Sequence, residues 1–170
     1  MRRISFICIW VSVILLTGIL AACSGTAAPD VLTTSTILAD ITKNVAGDRL
    51  TVGSLVPIGV DPHSYQPTPQ DTAKVSKSKV LVVNGAEYEL FLEPLLASAD
   101  GEGTLIEAAT SLNLRSDAEH GTDPHLWLDP NNVIVYVENI RDGLIQFDPE
   151  GAEVYQANAS AYITQLEELD

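Results

Sequence analysis

Lys79-Val80-Leu81-Val82-Val83 is a nearly unbroken apolar run, stopped by Asn84-Gly85. A run without polar alternation offers no face to water, so it reads as a strand covered on both sides, the setting of a parallel sheet. The flanking segments supply the cover. Val31-Leu32-Thr33-Thr34 is β-prone, and Ile37 through Val45 has helical spacing closed by Gly47. Leu50 through Val56 reads as a second strand, and Pro57, Gly59 and Pro62 end it and open a loop that holds His63. Thr68-Pro69-Gln70-Asp71 carries a helix start: a hydroxyl cap, proline at the first position, and a carboxylate near the positive end of the dipole.

Helical spacing resumes at Leu90, Leu92, Leu95 and Leu96, and Thr104-Leu105-Ile106 is a fourth candidate strand. Residues 116–123 form a polar loop, after which Asp129-Pro130-Asn131 opens a helix with Val133, Val137 and Ile140 on one side. Such alternation predicts an α/β fold, a mainly parallel β-sheet flanked by helices. Ligands of these folds sit outside the carboxyl ends of the strands, the end at which the His63 loop leaves. Asp148-Pro149-Glu150 is expected to begin a last helix in the same capped style, with Tyr155, Tyr162, Leu166 and Leu169 on one face. No Gly, Asn or Pro closes it before Asp170, so the pattern predicts a natural chain that continues; a frayed terminal helix is the simpler alternative.

The amino terminus is a different kind of segment. Met1-Arg2-Arg3 is basic, Ile4 to Leu16 is apolar, and Gly18, Ala21 and Ala22 lead into Cys23. That is the layout of a secretory leader over residues 1–22. A membrane anchor is the rival, but the apolar core falls short of the ~20 residues a spanning helix needs. Leu20-Ala21-Ala22-Cys23 resembles the bacterial lipobox, which makes Cys23 the expected lipidation site and the first mature residue. Cys8 lies within the removed leader, so no disulfide framework is expected. Residues 23–30 read as a lipidated cysteine and flexible tether, and folding is expected to begin near Val31.

The chain carries 23 acidic and 9 basic residues, a formal charge of −14. Nucleic acid and anionic lipid surfaces need clustered Lys and Arg, so the balance argues against both as partners. It suits cations, and it equally suits plain solubility.

Three histidines occur, two of them in identical settings: Asp61-Pro62-His63 and Asp123-Pro124-His125. Proline stiffens the backbone before each imidazole, and an aspartate two positions back can orient the ring. Neutral imidazole is a ligand for zinc and other first-row divalent ions. Turn initiation explains each Asp-Pro pair as well, so spacing alone leaves both readings open. His120, in Asp117-Ala118-Glu119-His120, reads as a solvated loop residue that could serve as an auxiliary metal contact. Enzymatic readings lack parts. There is no Gly-x-Ser-x-Gly elbow, His-Glu-x-x-His helix, phosphate loop or dinucleotide fingerprint. A metal-assisted hydrolase stays conceivable but has no identifiable general base.

Thr36-Ile37-Leu38-Ala39-Asp40, the stretch from Leu55 to Asp71, Asn84-Gly85, Glu89 and the stretch from Asp123 to Pro130 together resemble the zinc/manganese solute-binding lipoproteins of ABC transporters. The resemblance runs from Val31 to the end. It implies two lobes joined by one long rigid helix, with a metal ion held in the cleft between them. Residues 31–147 would then be the amino-terminal α/β lobe and residues 148–170 the start of the connecting helix, with the second lobe missing. His63 and His125 match the first two ligand positions. The other two, typically a His or Glu and then an Asp, belong to the absent lobe, so this chain is expected to hold metal more weakly than four ligands would.

The implied role is capture of a divalent transition metal and delivery to an ABC permease and its ATPase, without catalysis. The protein would be an exported monomer, lipid-anchored and facing the periplasm or the cell exterior. Zn2+ is favoured slightly over Mn2+ on solution chemistry. The alternative from another class is an adhesin-like surface lipoprotein.

Overall fold

The computed structural model describes residues 28–99, 101, 103–114, 116–117 and 121–169. The leader, Cys23 and His120 lie outside the described residues. Four parallel strands form the centre: β1 (Val31–Thr33), β2 (Val52–Ser54), β3 (Val80–Val83) and β4 (Thr104–Glu107), in the order β2-β1-β3-β4. Helix α1 (Thr36–Ala46) joins β1 to β2, α2 (Pro69–Lys77) precedes β3, and α3 (Leu92–Ser98) joins β3 to β4. After a small hairpin, β5 (Ser116–Asp117) with β6 (Gly121–Thr122), come α4 (Pro130–Phe147) and α5 (Ala152–Glu167).

Residues of β3 alternate between two cores, and all four are buried. Val80 and Val82 face a cluster built with Val31, Leu38, Ile41, Ile106, Tyr136, Ile140 and Tyr155, which α1, α4 and α5 cover. Leu81 and Val83 face Leu32, Leu55, Val56, Val75, Phe91 and Leu95 on the side of α2 and α3. The apolar run therefore does what its composition requires, since each side chain removed from water contributes about 1.5–3 kcal/mol. Helix α4 lies so close to β4 that a Cβ at Gly143 would collide with the Ile106 side chain. A small residue is needed there for the helix to reach the sheet.

Local chemistry fixes the helix starts. Thr68 and Asp71 exchange hydrogen bonds in a full capping box, and Pro69 occupies the first turn of α2. Ser35 caps α1, and Asp129 caps α4 by accepting from the Asn131 N–H.

Five details differ from the sequence reading. The second strand is only Val52–Ser54, although the Leu55 and Val56 amides still donate to the Thr33 and Thr34 carbonyls at 2.7 and 3.3 Å. Leu90 precedes α3 and is 72 % exposed, so it takes no part in the helical stripe. Part of the 116–123 loop pairs as β5–β6, a local pairing that a segment without alternating apolar residues does not announce. Finally, Asp148 does not cap a helix. Pro149–Gly151 forms a 3-10 turn, α5 begins at Ala152, and the Asp148 carboxylate takes a two-point bond from Arg49 at 2.5 and 2.9 Å plus the Tyr155 hydroxyl at 2.6 Å. Leu169 lies past α5 and is 74 % exposed, whereas Tyr155 and Leu166 of the same pattern are buried.

Among the described residues no helix is long and apolar enough to cross a membrane.

Candidate metal centre

Two loops bring the repeated motif together at the carboxyl ends of the strands. The first leaves β2 and turns through Gly59 to Asp61-Pro62-His63. There Asp61 Oδ1 accepts the His63 backbone N–H at 3.0 Å, and Ser64 Oγ donates to Asp61 Oδ2 at 3.1 Å. The second follows β6. Asp123 Oδ1 accepts the His125 N–H at 3.0 Å, and the His125 ring Nδ1 lies 2.9 Å from the same oxygen. Each aspartate thus closes a tight turn over its proline and fixes the backbone of its histidine. Only Asp123 also reaches the ring.

The result is convergence. The Nε2 atoms of His63 and His125 are 3.2 Å apart, with ring centroids at 5.2 Å and planes inclined by 57°. A carboxylate at Nδ1 favours the tautomer that keeps the proton there, which leaves the His125 Nε2 lone pair aimed at His63. One of the two Nε2 atoms must carry the proton that joins them, and the Asp123 carboxylate at the His125 Nδ1 favours His63 as that donor. Both rings are exposed to solvent, and the His125 side chain is 44 % accessible.

Aromatic rings wall the pair. Tyr88 meets His63 edge to face at 5.1 Å and Trp127 at 4.9 Å, and Trp127 meets His125 at 5.3 Å. Tyr88 sits on an unusual turn. Gly85, Ala86 and Glu87 all have positive φ, at 81°, 52° and 62°. The φ of Gly85 is one that L side chains rarely adopt, and a Cβ there would also push aside the Glu107 side chain. The turn is held from within by Glu89, which is 7 % exposed. Its Oε1 accepts from Thr34 Oγ1 at 2.5 Å and the Asn84 N–H at 2.7 Å, and its Oε2 accepts from the Gly85 N–H at 3.1 Å. Burial pushes the Glu89 carboxyl upward, and these donors oppose the shift.

The sequence pointed to His63 and His125, and the structure unites them; it also quoted Glu89 without a role. Tyr88 was missed, and only its place beside Asn84-Gly85 could have marked it. Among the described residues no third His, Cys, Asp or Glu joins the pair in a set able to surround an ion. A separate cavity of about 410 Å³ beside the 3-10 turn Leu126–Leu128 is lined by Ile37, Trp127, Leu128, Val133 and Leu166 among others. Its lining is mostly apolar and contains no histidine, so it does not compete as a ligand set for a cation.

The chain is similar to known proteins. Residues 31–170 match the family model ZnuA, zinc-uptake complex component A, periplasmic. A manganese-binding lipoprotein, MntA, of Halalkalibacterium halodurans is 43 % identical over 140 residues, which are 82 % of this chain and 47 % of that protein. The iron-binding protein YfeA of Yersinia pestis is 38 % identical over 143 residues, 82 % of this chain and 46 % of that protein. The crystal structure of Zn(II)-bound AdcA from Streptococcus pneumoniae superposes with a TM-score of 0.76 at 35 % identity, covering 82 % of this chain and 31 % of that one. The chain spans about half the length of these two relatives. With the fold, both histidine motifs and the family match in agreement, the chain belongs to the ZnuA family of periplasmic zinc-uptake components.

Proposed function

We propose that this chain is the metal-receiving lobe of an extracytoplasmic solute-binding lipoprotein, and that His63 and His125 are the first two ligands of its cargo, a divalent transition-metal ion. One observation carries the reading: two imidazole nitrogens from distant loops meet at 3.2 Å on an exposed rim. Two nitrogens bound to one tetrahedral zinc at 2.0–2.1 Å stand about 3.4 Å apart, so the pair needs only a small opening to admit an ion. Entry requires His63 to move its proton to Nδ1, and both lone pairs then face the metal.

The mechanism is capture and delivery, not catalysis. Neutral imidazoles form a low-charge, partly soft half-site, and the remaining positions stay open for ligands from elsewhere in the protein. Residues from Asp148 onward would lead into the connecting helix, lipid on Cys23 would hold the protein at the membrane, and an ABC permease with its ATPase would accept the ion. Solution affinity favours zinc over manganese at such a pair whatever the physiological cargo. The relatives are named for manganese, iron and zinc, which supports a first-row divalent ion and leaves the choice to the ligands that complete the site. No feature of the described residues favours the adhesin-like alternative.

X-ray absorption on the zinc-loaded protein tests the reading. Two imidazole nitrogens at about 2.0–2.1 Å are expected. A shell of oxygens alone would refute it.

A further inference from the structure

Asn84 ends β3, is 0 % exposed, and has every polar group engaged. Its backbone N–H donates to Glu89, and its carbonyl accepts from the Ala109 N–H at 3.0 Å. Its side-chain Nδ2 donates to the Gly85 carbonyl at 3.0 Å and to the Pro124 carbonyl at 3.2 Å, while Oδ1 accepts from the Tyr136 hydroxyl at 2.6 Å. The amide is thus clamped between helix α4 and the loop that carries His125.

Pro124 is buried, and its ring fixes φ, so ψ is the one soft backbone torsion left to Pro124 itself. A hydrogen bond to the Pro124 carbonyl sets the plane of the next peptide, and with it ψ. Asp123 then anchors the His125 N–H and ring. Among the described residues the other motif has no such outside anchor: the Pro62 carbonyl accepts a local bond, from the Tyr65 N–H at 3.4 Å. Resting on the metal-centre reading above, we propose that Asn84 is a positioning residue for His125: it locks the Pro124 peptide so that the His125 Nε2 is already aimed at the metal before the ion arrives. His63 is set by its own loop and is independent of Asn84.

The experiment compares zinc affinity, urea stability and histidine ring resonances in the wild type, Asn84→Ala, Tyr136→Phe and His125→Ala. Asn84→Ala is expected to weaken zinc binding about 10- to 100-fold, the usual effect of removing a partner behind a metal ligand. In the metal-free variant the His125 ring signals should broaden or average, while the His63 ring should stay ordered and shift only through its lost contact with His125. Tyr136→Phe removes the opposite bond of the same amide but keeps the Nδ2 bond to the Pro124 carbonyl, so it should lower stability and weaken zinc binding far less than Asn84→Ala does. Affinity that falls equally in Asn84→Ala and Tyr136→Phe would reduce Asn84 to a structural role and overturn the proposal. Wild-type affinity in Asn84→Ala, with binding lost in His125→Ala, would overturn the positioning role alone. Binding that survives His125→Ala would overturn the metal-centre reading and the positioning role together. Should Asn84→Ala fail to fold, the wild type decides: before zinc is added its Asn84 side-chain amide protons must be protected from exchange and its His125 ring signals sharp, and fast exchange or an averaged His125 ring overturns the link.

Discussion

The Glu89 carboxylate gathers the Thr34 hydroxyl at 2.5 Å, although the two residues stand 55 positions apart, and ties the end of β1 to the turn after β3. Two backbone N–H groups, of Asn84 and Gly85, complete its shell. This buried acceptor holds the positive-φ turn that places Tyr88 against His63.

Glu89→Gln keeps the shape and removes one acceptor. One side-chain oxygen must become an NH2 group, which then faces either the Gly85 N–H or the Thr34 and Asn84 donors. A buried donor left without a partner costs about 1–3 kcal/mol. Urea unfolding should show a loss in that range, and a variant as stable as the wild type would mean that Glu89 is protonated and already has a donor of its own.

Thr42 offers the opposite case. It is 0 % exposed in α1, and among the described residues its hydroxyl has no hydrogen-bond partner. Thr42→Val replaces the hydroxyl with a methyl of similar size and should raise stability by about 1 kcal/mol in the same assay. A destabilised variant would show that the hydroxyl does have a partner in solution.

Acid should weaken the fold through its paired carboxylates. The hydrogen bonds from Arg49 first and Tyr155 second hold Asp148 down at about 2, and those from Lys79 and Thr51 hold Asp30 down at about 2. Burial alone would push Asp71 up, but the bonds from Lys74, Thr68 and Tyr65 outweigh it and keep its carboxyl well below the usual range. A folded pKa below the unfolded one gives stability that is present above about pH 4 and is lost as pH falls through the folded values. The urea midpoint should therefore drop between pH 4 and pH 2. Asp148→Asn should lower the midpoint at pH 6 and make the acid loss shallower, and an unchanged slope would contradict the assignment.

How much of this was legible in the sequence depends on the range of the interaction. The Val80–Val83 run announced a strand buried on both faces, and Thr68-Pro69 with Asp71 announced the start of α2, because burial pattern and capping act within a few residues. The two Asp-Pro-His motifs were visible for the same reason. The 3.2 Å meeting of their rings was not, since it depends on two loops brought together by the sheet. Asn84 with Tyr136, 52 positions apart, and Asp148 with Arg49, 99 apart, leave no local pattern either. At Asp148 the local signal even misled: an Asp-Pro pair reads as a cap, but a distant arginine claimed the carboxylate first.

The central claim is that His63 and His125 receive the metal ion. Calorimetric titration of zinc and then manganese into the purified protein, beside the double variant His63→Ala and His125→Ala, tests it most directly. Binding by the wild type that is lost in the double variant is the predicted result, with an affinity below that of a complete four-ligand site. Undiminished binding in the double variant would contradict the account and leave only the acidic surface to explain metal uptake.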